Sequence, residues 1–204
     1  MPEPVKINEV VGSGIPLHGD DIDTDRILPA RYLKEVTFER MGSYLFYDER
    51  FDSDGKKKSH PLNDEKFKGA SILVVNKNFG CGSSREHAAQ AIKRFGIKAV
   101  IGESFSTIFS TNCIMLGIPT IQLPPAEIKQ LMQTIEGNPN SEIKIYLEGK
   151  KLKYQDKEIG FSISDSALKS LISGMWDNTM IMMSNMGAIK EVAGKLPYLN
   201  HFKQ

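Results

Sequence analysis

The ten residues Asn78-Phe-Gly-Cys-Gly-Ser-Ser-Arg-Glu-His87 bring together two hydroxyls, a guanidinium, a carboxylate, a thiol and an imidazole. An apolar run, Ala70-Ser-Ile-Leu-Val-Val75, precedes them and reads as a buried strand, and Ala88–Phe95 reads as a helix. A glycine-rich turn between strand and helix directs unpaired N–H groups and the positive end of the helix dipole at one point, which suits a small anion. Gly80 and Gly82 permit tight backbone angles and close approach of a ligand. Arg85 offers a planar fork matched to a carboxylate or phosphate. The expectation is a site for a carboxylate substrate.

Helix capping by Ser83 or Ser84 is the plainer reading, but a cap needs one hydroxyl and leaves the arginine, glutamate and histidine unexplained. A serine can act as a base only in a strongly electropositive setting, supplied here by Arg85, the helix dipole or a metal. A nucleophilic serine would want a histidine held by a carboxylate, and no G-x-S-x-G elbow is present.

Asp20-Asp-Ile-Asp-Thr-Asp25 packs four aspartates into six positions. An EF-hand reading fails: counted from Asp20, the sixth and twelfth loop positions hold Asp25 and Arg31 instead of Gly and Glu. A turn whose carboxylates accept from backbone donors is the default. His18, His60 and His201 stand alone and read as solvent-facing or hydrogen-bonded. Cys113 lies in an apolar stretch and reads as a core thiol, whereas Cys81, inside the turn, is either reactive or merely small. Two distant cysteines exclude a disulfide scaffold and a self-contained zinc or iron–sulfur site.

The elements that must hold these residues alternate from Gly69 onward. Strands over 71–75, 99–102 and 120–123 are followed by helices over 84–95, 106–116 and 125–135, the pattern of a parallel or mixed sheet covered by helices. Short antiparallel strands over 143–147, 151–154 and 157–163 come next, then helices near 165–172 and 185–192. Before this region, residues up to about 25 predict β structure broken into turns by Gly12, Gly14, Pro16 and Gly19, with a short helix near 37–42. Residues 48–68, charged and without periodicity, predict a surface loop or lid.

A chain of 204 residues with 40% hydrophobic and 25% charged residues is of ordinary globular composition and long enough for a real core, as one domain over 1–204 with a helical tail over about 165–204. The net charge of +1, from 26 basic and 25 acidic residues, carries no nucleic-acid footprint. No apolar run reaches the ~18 residues of a membrane span, and the first residues lack a signal-peptide pattern, so a cytoplasmic protein is expected.

Three stretches in order, Asp21-Ile-Asp-Thr-Asp-Arg-Ile-Leu-Pro29, Tyr44-Leu-Phe-Tyr-Asp-Glu-Arg-Phe51 and Asn78–His87, resemble the small-subunit family of 3-isopropylmalate dehydratase (isopropylmalate isomerase), in the aconitase superfamily. Ser104–Phe109 with Asn112, and Phe161–Asp165, extend the likeness over nearly the whole chain; Gly174-Met-Trp-Asp177 is an insertion relative to the common Gly-Leu-Asp. The resemblance implies an α/β swivelling β/β/α domain with a mixed sheet flanked by helices. It implies a hydro-lyase of leucine biosynthesis, active only with a large subunit in a heterodimer or heterotetramer. A four-iron four-sulfur cluster is expected on that large subunit, with no cofactor bound by this chain.

By the same resemblance Ser83 matches the catalytic base; Ser84, Arg85, Asp25 and Thr24 match substrate-binding groups; and Tyr32, Leu33 and Lys34 match a specificity loop, where Leu33 could touch an isopropyl group. Lys34 would instead suit an additional carboxylate. The alternatives are the small subunit of a citramalate/methylmalate dehydratase or homoaconitase, taking related dicarboxylates, and, from another class, a non-catalytic carboxylate-binding module.

Overall fold

Glu9–Leu17 forms one continuous strand, β1, and not the interrupted turns expected from Gly12, Gly14 and Pro16. The glycine at 14 answers to packing: a Cβ there would lie 2.5 Å from the Cδ1 of Ile135, on the helix that covers the strand. Pro16 comes after the last pair with the neighbouring antiparallel strand, in the part of β1 with a ladder on one side only, where proline is tolerated.

The computed structural model describes residues 5–83, 85–199 and 202; Ser84 and His201 therefore lie outside the described residues. Among them, β2 (Ile72–Val75), β3 (Ala99–Gly102) and β4 (Thr120–Gln122) continue from β1 as a parallel ladder, and β5 (Glu142–Tyr146), β6 (Lys151–Tyr154) and β7 (Lys157–Gly160) as an antiparallel one. The strand order is β4-β3-β2-β1-β5-β6-β7. β1 joins the two halves: residues 9–13 pair with β5 and residues 14–17 with β2. Gln122 and Ser162 exchange two backbone hydrogen bonds of 2.9 Å, so the far ends of the sheet meet and the sheet curls. This is the expected α/β mixed sheet flanked by helices.

Helices α1 (Thr24–Ile27) and α2 (Tyr47–Arg50) are single turns; α3 (Glu86–Phe95), α4 (Thr107–Met115) and α5 (Pro125–Gly137) follow β2, β3 and β4. All four residues of β2 and all four of β3 are buried, as a central parallel strand covered on both faces requires. The expected helix near 37–42 is absent; short 3-10 turns occupy Ala30–Lys34 and Met41–Tyr44 instead. Three aromatic rings, Tyr32, Tyr44 and Tyr47, pack on one another there, and this non-local stacking leaves no periodic trace in the sequence.

The 48–68 stretch is irregular but pinned. Buried Arg50 donates to the Leu45 carbonyl and to Asn63 Oδ1, both at 3.0 Å, and Asn63 Nδ2 returns a bond to the Arg50 carbonyl at 2.7 Å. At the other end, α6 (Asp165–Ser173), α7 (Asn178–Ser184) and α8 (Met186–Lys195) form the tail. The sequence pattern missed α7, whose first turn is capped by Asp177 accepting from the N–H groups of Thr179 and Met180. Trp176, in the insertion, ties the root of the tail to the first described residue by donating from Nε1 to the Val5 carbonyl at 2.8 Å. No helix among the described residues is long and apolar enough to cross a membrane.

Candidate functional site

After β2 the chain turns at Asn78, in the left-handed region at φ 54°, and runs alongside residues 21–24. Asp21 N–H donates to the Lys77 carbonyl at 3.0 Å, Gly80 N–H to the Ile22 carbonyl at 2.7 Å, and Thr24 N–H to the Cys81 carbonyl at 2.9 Å. Thr24, buried, finishes the pairing: its Oγ1 accepts from Ser83 N–H at 3.1 Å and lies 3.3 Å from the Ser83 carbonyl. Gly80 has to be glycine, because it sits at φ +76° and a Cβ would come within 2.2 Å of the Phe109 ring. That ring in turn meets Phe79 edge-on at 5.3 Å, so the turn rests on α4.

The aspartate cluster resolves into separate duties. Asp20 accepts from Lys77 N–H at 3.2 Å, Asp21 from Asn78 Nδ2 at 2.7 Å, and Asp23 caps α1 by accepting from Arg26 N–H at 2.8 Å. These three serve the turn, as their type suggests. Asp25 differs: it pairs with Arg85 Nη1 at 2.5 Å, across sixty residues of sequence. The structure thus brings Thr24, Asp25, Ser83 and Arg85 to one corner.

No side-chain cap from Ser83 is seen among the described residues. Arg85 occupies the N-cap position of α3 and supplies no side-chain cap. Ser83 is exposed, none of the described residues hydrogen-bonds its hydroxyl, and Ser84 lies outside the described residues. The start of α3, with the positive end of its dipole, thus lies next in sequence to Ser83 and Arg85. His87 is no partner for Ser83; its ring packs against Phe38 at 5.3 Å. Glu86 accepts from Gln90 Nε2 at 2.8 Å, one turn along the helix.

Tyr32, Leu33 and Lys34 lie on the 3-10 turn over Ala30–Lys34. Tyr32 stacks on Tyr44 with centroids 4.0 Å apart, Leu33 packs against the core, and Lys34 is exposed. Among the described residues, no hydrogen bond, ion pair or ring contact joins these three to Ser83 or Arg85.

Burial, and then Asp23 and Asp21, push the Cys81 thiol up, which keeps it protonated and a poor nucleophile. Burial alone pushes Cys113 up further, as for a core thiol. No group of three or more His, Cys, Asp or Glu side chains that could hold a metal ion occurs among the described residues.

Sequence reasoning missed one feature beside the corner. Arg26 Nε donates to Glu49 Oε1 at 2.6 Å, and the other Glu49 oxygen lies 3.7 Å from His60 Nε2. His60 and Arg26 together hold the Glu49 carboxyl down, to about 2. These residues come from two separate single-turn helices and a loop, so no spacing rule could have joined them.

Comparison with known proteins yields a consistent set of likenesses. The aconitase C-terminal domain family matches residues 5–126. A 3-isopropylmalate dehydratase small subunit of Thermus thermophilus is 47% identical over 193 residues, covering 95% of this chain and 96% of its own length. One from Synechocystis sp. is 44% identical over 195 residues, covering 96% of each. The crystal structure of a 3-isopropylmalate dehydratase from Methanocaldococcus jannaschii superposes with a TM-score of 0.66 at 26% identity, covering 90% of this chain and 98% of that one.

Proposed function

Because the chain belongs to the aconitase C-terminal domain family, among the small subunits of 3-isopropylmalate dehydratase, we propose that its open corner grips a branched hydroxy-diacid and moves its proton. The reaction is the interconversion of 2-isopropylmalate and 3-isopropylmalate through 2-isopropylmaleate, by loss and return of water, in leucine biosynthesis. One observation carries the assignment of roles: motifs sixty residues apart converge so that Ser83 and Arg85 flank the uncapped start of α3.

In this reading Arg85, held in place by Asp25 through Nη1, turns the remaining N–H groups of its planar fork to a substrate carboxylate. Ser83 takes the proton from the carbon next to a carboxylate. The electron pair left on that carbon delocalises into the carboxylate, and hydroxide departs from the neighbouring carbon. Arg85 and the N–H groups of α3 stabilise the charge that builds on the carboxylate oxygens. Hydroxide then adds to the carbon that lost the proton, and Ser83 returns its proton to the carbon that lost the hydroxide. Thr24, locked to the Ser83 backbone, fixes where that hydroxyl stands. The turn bearing Tyr32, Leu33 and Lys34 would supply the wall for the isopropyl group, an apolar contact worth roughly 1–3 kcal/mol of discrimination.

The chain's own residues do not fit a four-iron four-sulfur cluster. Its two cysteines are far apart in sequence, Cys113 is wholly buried, and the described residues offer no ligand group. We therefore assign the cluster to the large subunit, which a small subunit requires as its partner, and this chain to the other wall of the shared site.

The test is Ser83→Ala in the complex assembled with the large subunit. Turnover of 2-isopropylmalate should fall by roughly 10²–10⁴, the usual contribution of a general base, with KM little changed. Turnover near the wild-type level would overturn the role of Ser83.

A further inference from the structure

Asp25 and Arg26 are neighbours on the single turn α1, yet they are held by different parts of the molecule: Asp25 by Arg85 at the corner, Arg26 by Glu49 of α2. A one-turn helix has too few internal hydrogen bonds to fix its own orientation. What fixes α1 is therefore its surroundings: at its start the buried Thr24, bonded to the Cys81 carbonyl and to Ser83 N–H, and at its end the buried Ile27, whose carbonyl accepts from Phe46 N–H at 2.8 Å, with the Arg26–Glu49 pair at 2.6 Å. Of these, Glu49 alone contributes a charged side chain, and that side chain has a second anchor. His60 is nearly wholly buried at its side chain and accepts from Leu62 N–H through Nδ1 at 3.2 Å, which leaves Nε2 as the donor nitrogen of the ring. That buried Nε2 has no hydrogen-bond partner among the described residues and faces the Glu49 carboxylate at 3.7 Å. The His60 ring is itself backed by Phe46, with centroids 5.6 Å apart.

We infer that Glu49 is a positioning residue: seated between His60 and Arg26, it sets the orientation of α1 and so the placement of Asp25 and Thr24 against Arg85 and Ser83. This rests on the reading of the corner as the substrate site. In physical terms, Glu49 makes the packing of the 48–68 stretch felt at the corner, through two consecutive residues that pair with different parts of the molecule. Held ionised by His60 and Arg26, Glu49 keeps its charge over the whole range in which the enzyme would work. Without it, Arg26 loses its charged partner, the buried His60 Nε2 loses the carboxylate it faces, and Asp25 must hold Arg85 from a looser turn.

The experiment is a double-mutant cycle in the assembled two-subunit enzyme, with Glu49→Ala and Asp25→Asn made singly and together, and Ser83→Ala assayed alongside. Glu49→Ala should lower kcat/KM for 2-isopropylmalate roughly 10-fold, mainly through KM, and Glu49→Gln, which keeps an acceptor for Arg26, should recover most of it. If Glu49 acts through α1, the double variant should be no worse than Asp25→Asn alone, because the two residues then serve one contact. Losses that multiply, or a Glu49→Ala enzyme within about twofold of wild type, would overturn the inference. Should Glu49→Ala fail to assemble, Glu49→Gln and Arg26→Met in the same cycle give the same non-additive result or refute it. A Ser83→Ala enzyme of normal rate would instead refute the underlying reading of the corner, so the two failures are distinguishable.

Discussion

The groove between α4 and α6 and the corner at the start of α3 are both lined with hydroxyls, but they differ in charge. The groove has a volume of about 690 Å³ and is bordered by Ser110, Thr120, Ser162 and Ser170 together with Phe105 and Trp176, with no charged side chain on its walls. The corner, where Ser83 is exposed and Arg85 partly so, holds a guanidinium, a hydroxyl without a hydrogen-bond partner among the described residues, and the positive end of a ten-residue helix. A dianion gains little from volume, because it must replace the hydration of two carboxylates with fixed donors. The comparison teaches that in this molecule donors and charge mark the site for a diacid, and that an open face is what a site shared with a second subunit requires.

The largest way to break this comparison is at Arg85. Arg85→Lys keeps the charge but loses the fork, and kcat/KM for the diacid in the assembled enzyme should fall by roughly 10²; a loss under about threefold would mean that bulk charge suffices and the corner's geometry does not matter. Next comes the turn itself. Gly80→Ala, at φ +76° and against the Phe109 ring, should destabilise the chain by about 2–3 kcal/mol, read as a drop in the melting transition. An unchanged transition would show that the turn can relax away from α4.

A smaller effect concerns the brace. The Glu49 carboxyl titrates at about 2 in the folded chain against an ordinary value of 4.5, so its contribution to stability is present above pH 4.5 and lost as the pH falls toward 2. Glu49→Gln should flatten the decline of the melting temperature across that window by a few degrees, about what one kcal/mol shifts it, and an identical slope would remove Glu49 from the account. The smallest effect sharpens the contrast from the other side: Ser170→Leu, which fills part of the groove, should leave turnover within about twofold of wild type. A large loss there would move the chemistry toward the groove.

Much of this was legible in the residues, and the exceptions follow a physical rule. The buried runs at Ile72–Val75 and Ala99–Gly102, and the helices after them, carry local periodicity and emerge as expected. The glycine turn between β2 and α3 follows the same local logic. β1 was misread because Gly12, Gly14 and Pro16 look like punctuation, whereas Gly14 answers to a helix about 120 residues away in sequence and Pro16 to the end of the β5 ladder. The tie from Ser83 N–H to Thr24 was not legible either, because its partner lies fifty-nine residues away in sequence. The Arg26–Glu49–His60 brace left no trace at all, since it depends on how separate short segments pack.

The central claim, that this corner is one wall of a site completed by another chain, is tested most directly by complementation. Turnover of 2-isopropylmalate should be measured for this chain alone, for its large subunit alone, and for the two mixed. Activity confined to the mixture is the predicted result. Turnover by this chain alone, or none when the cluster-loaded partner is added, would contradict it.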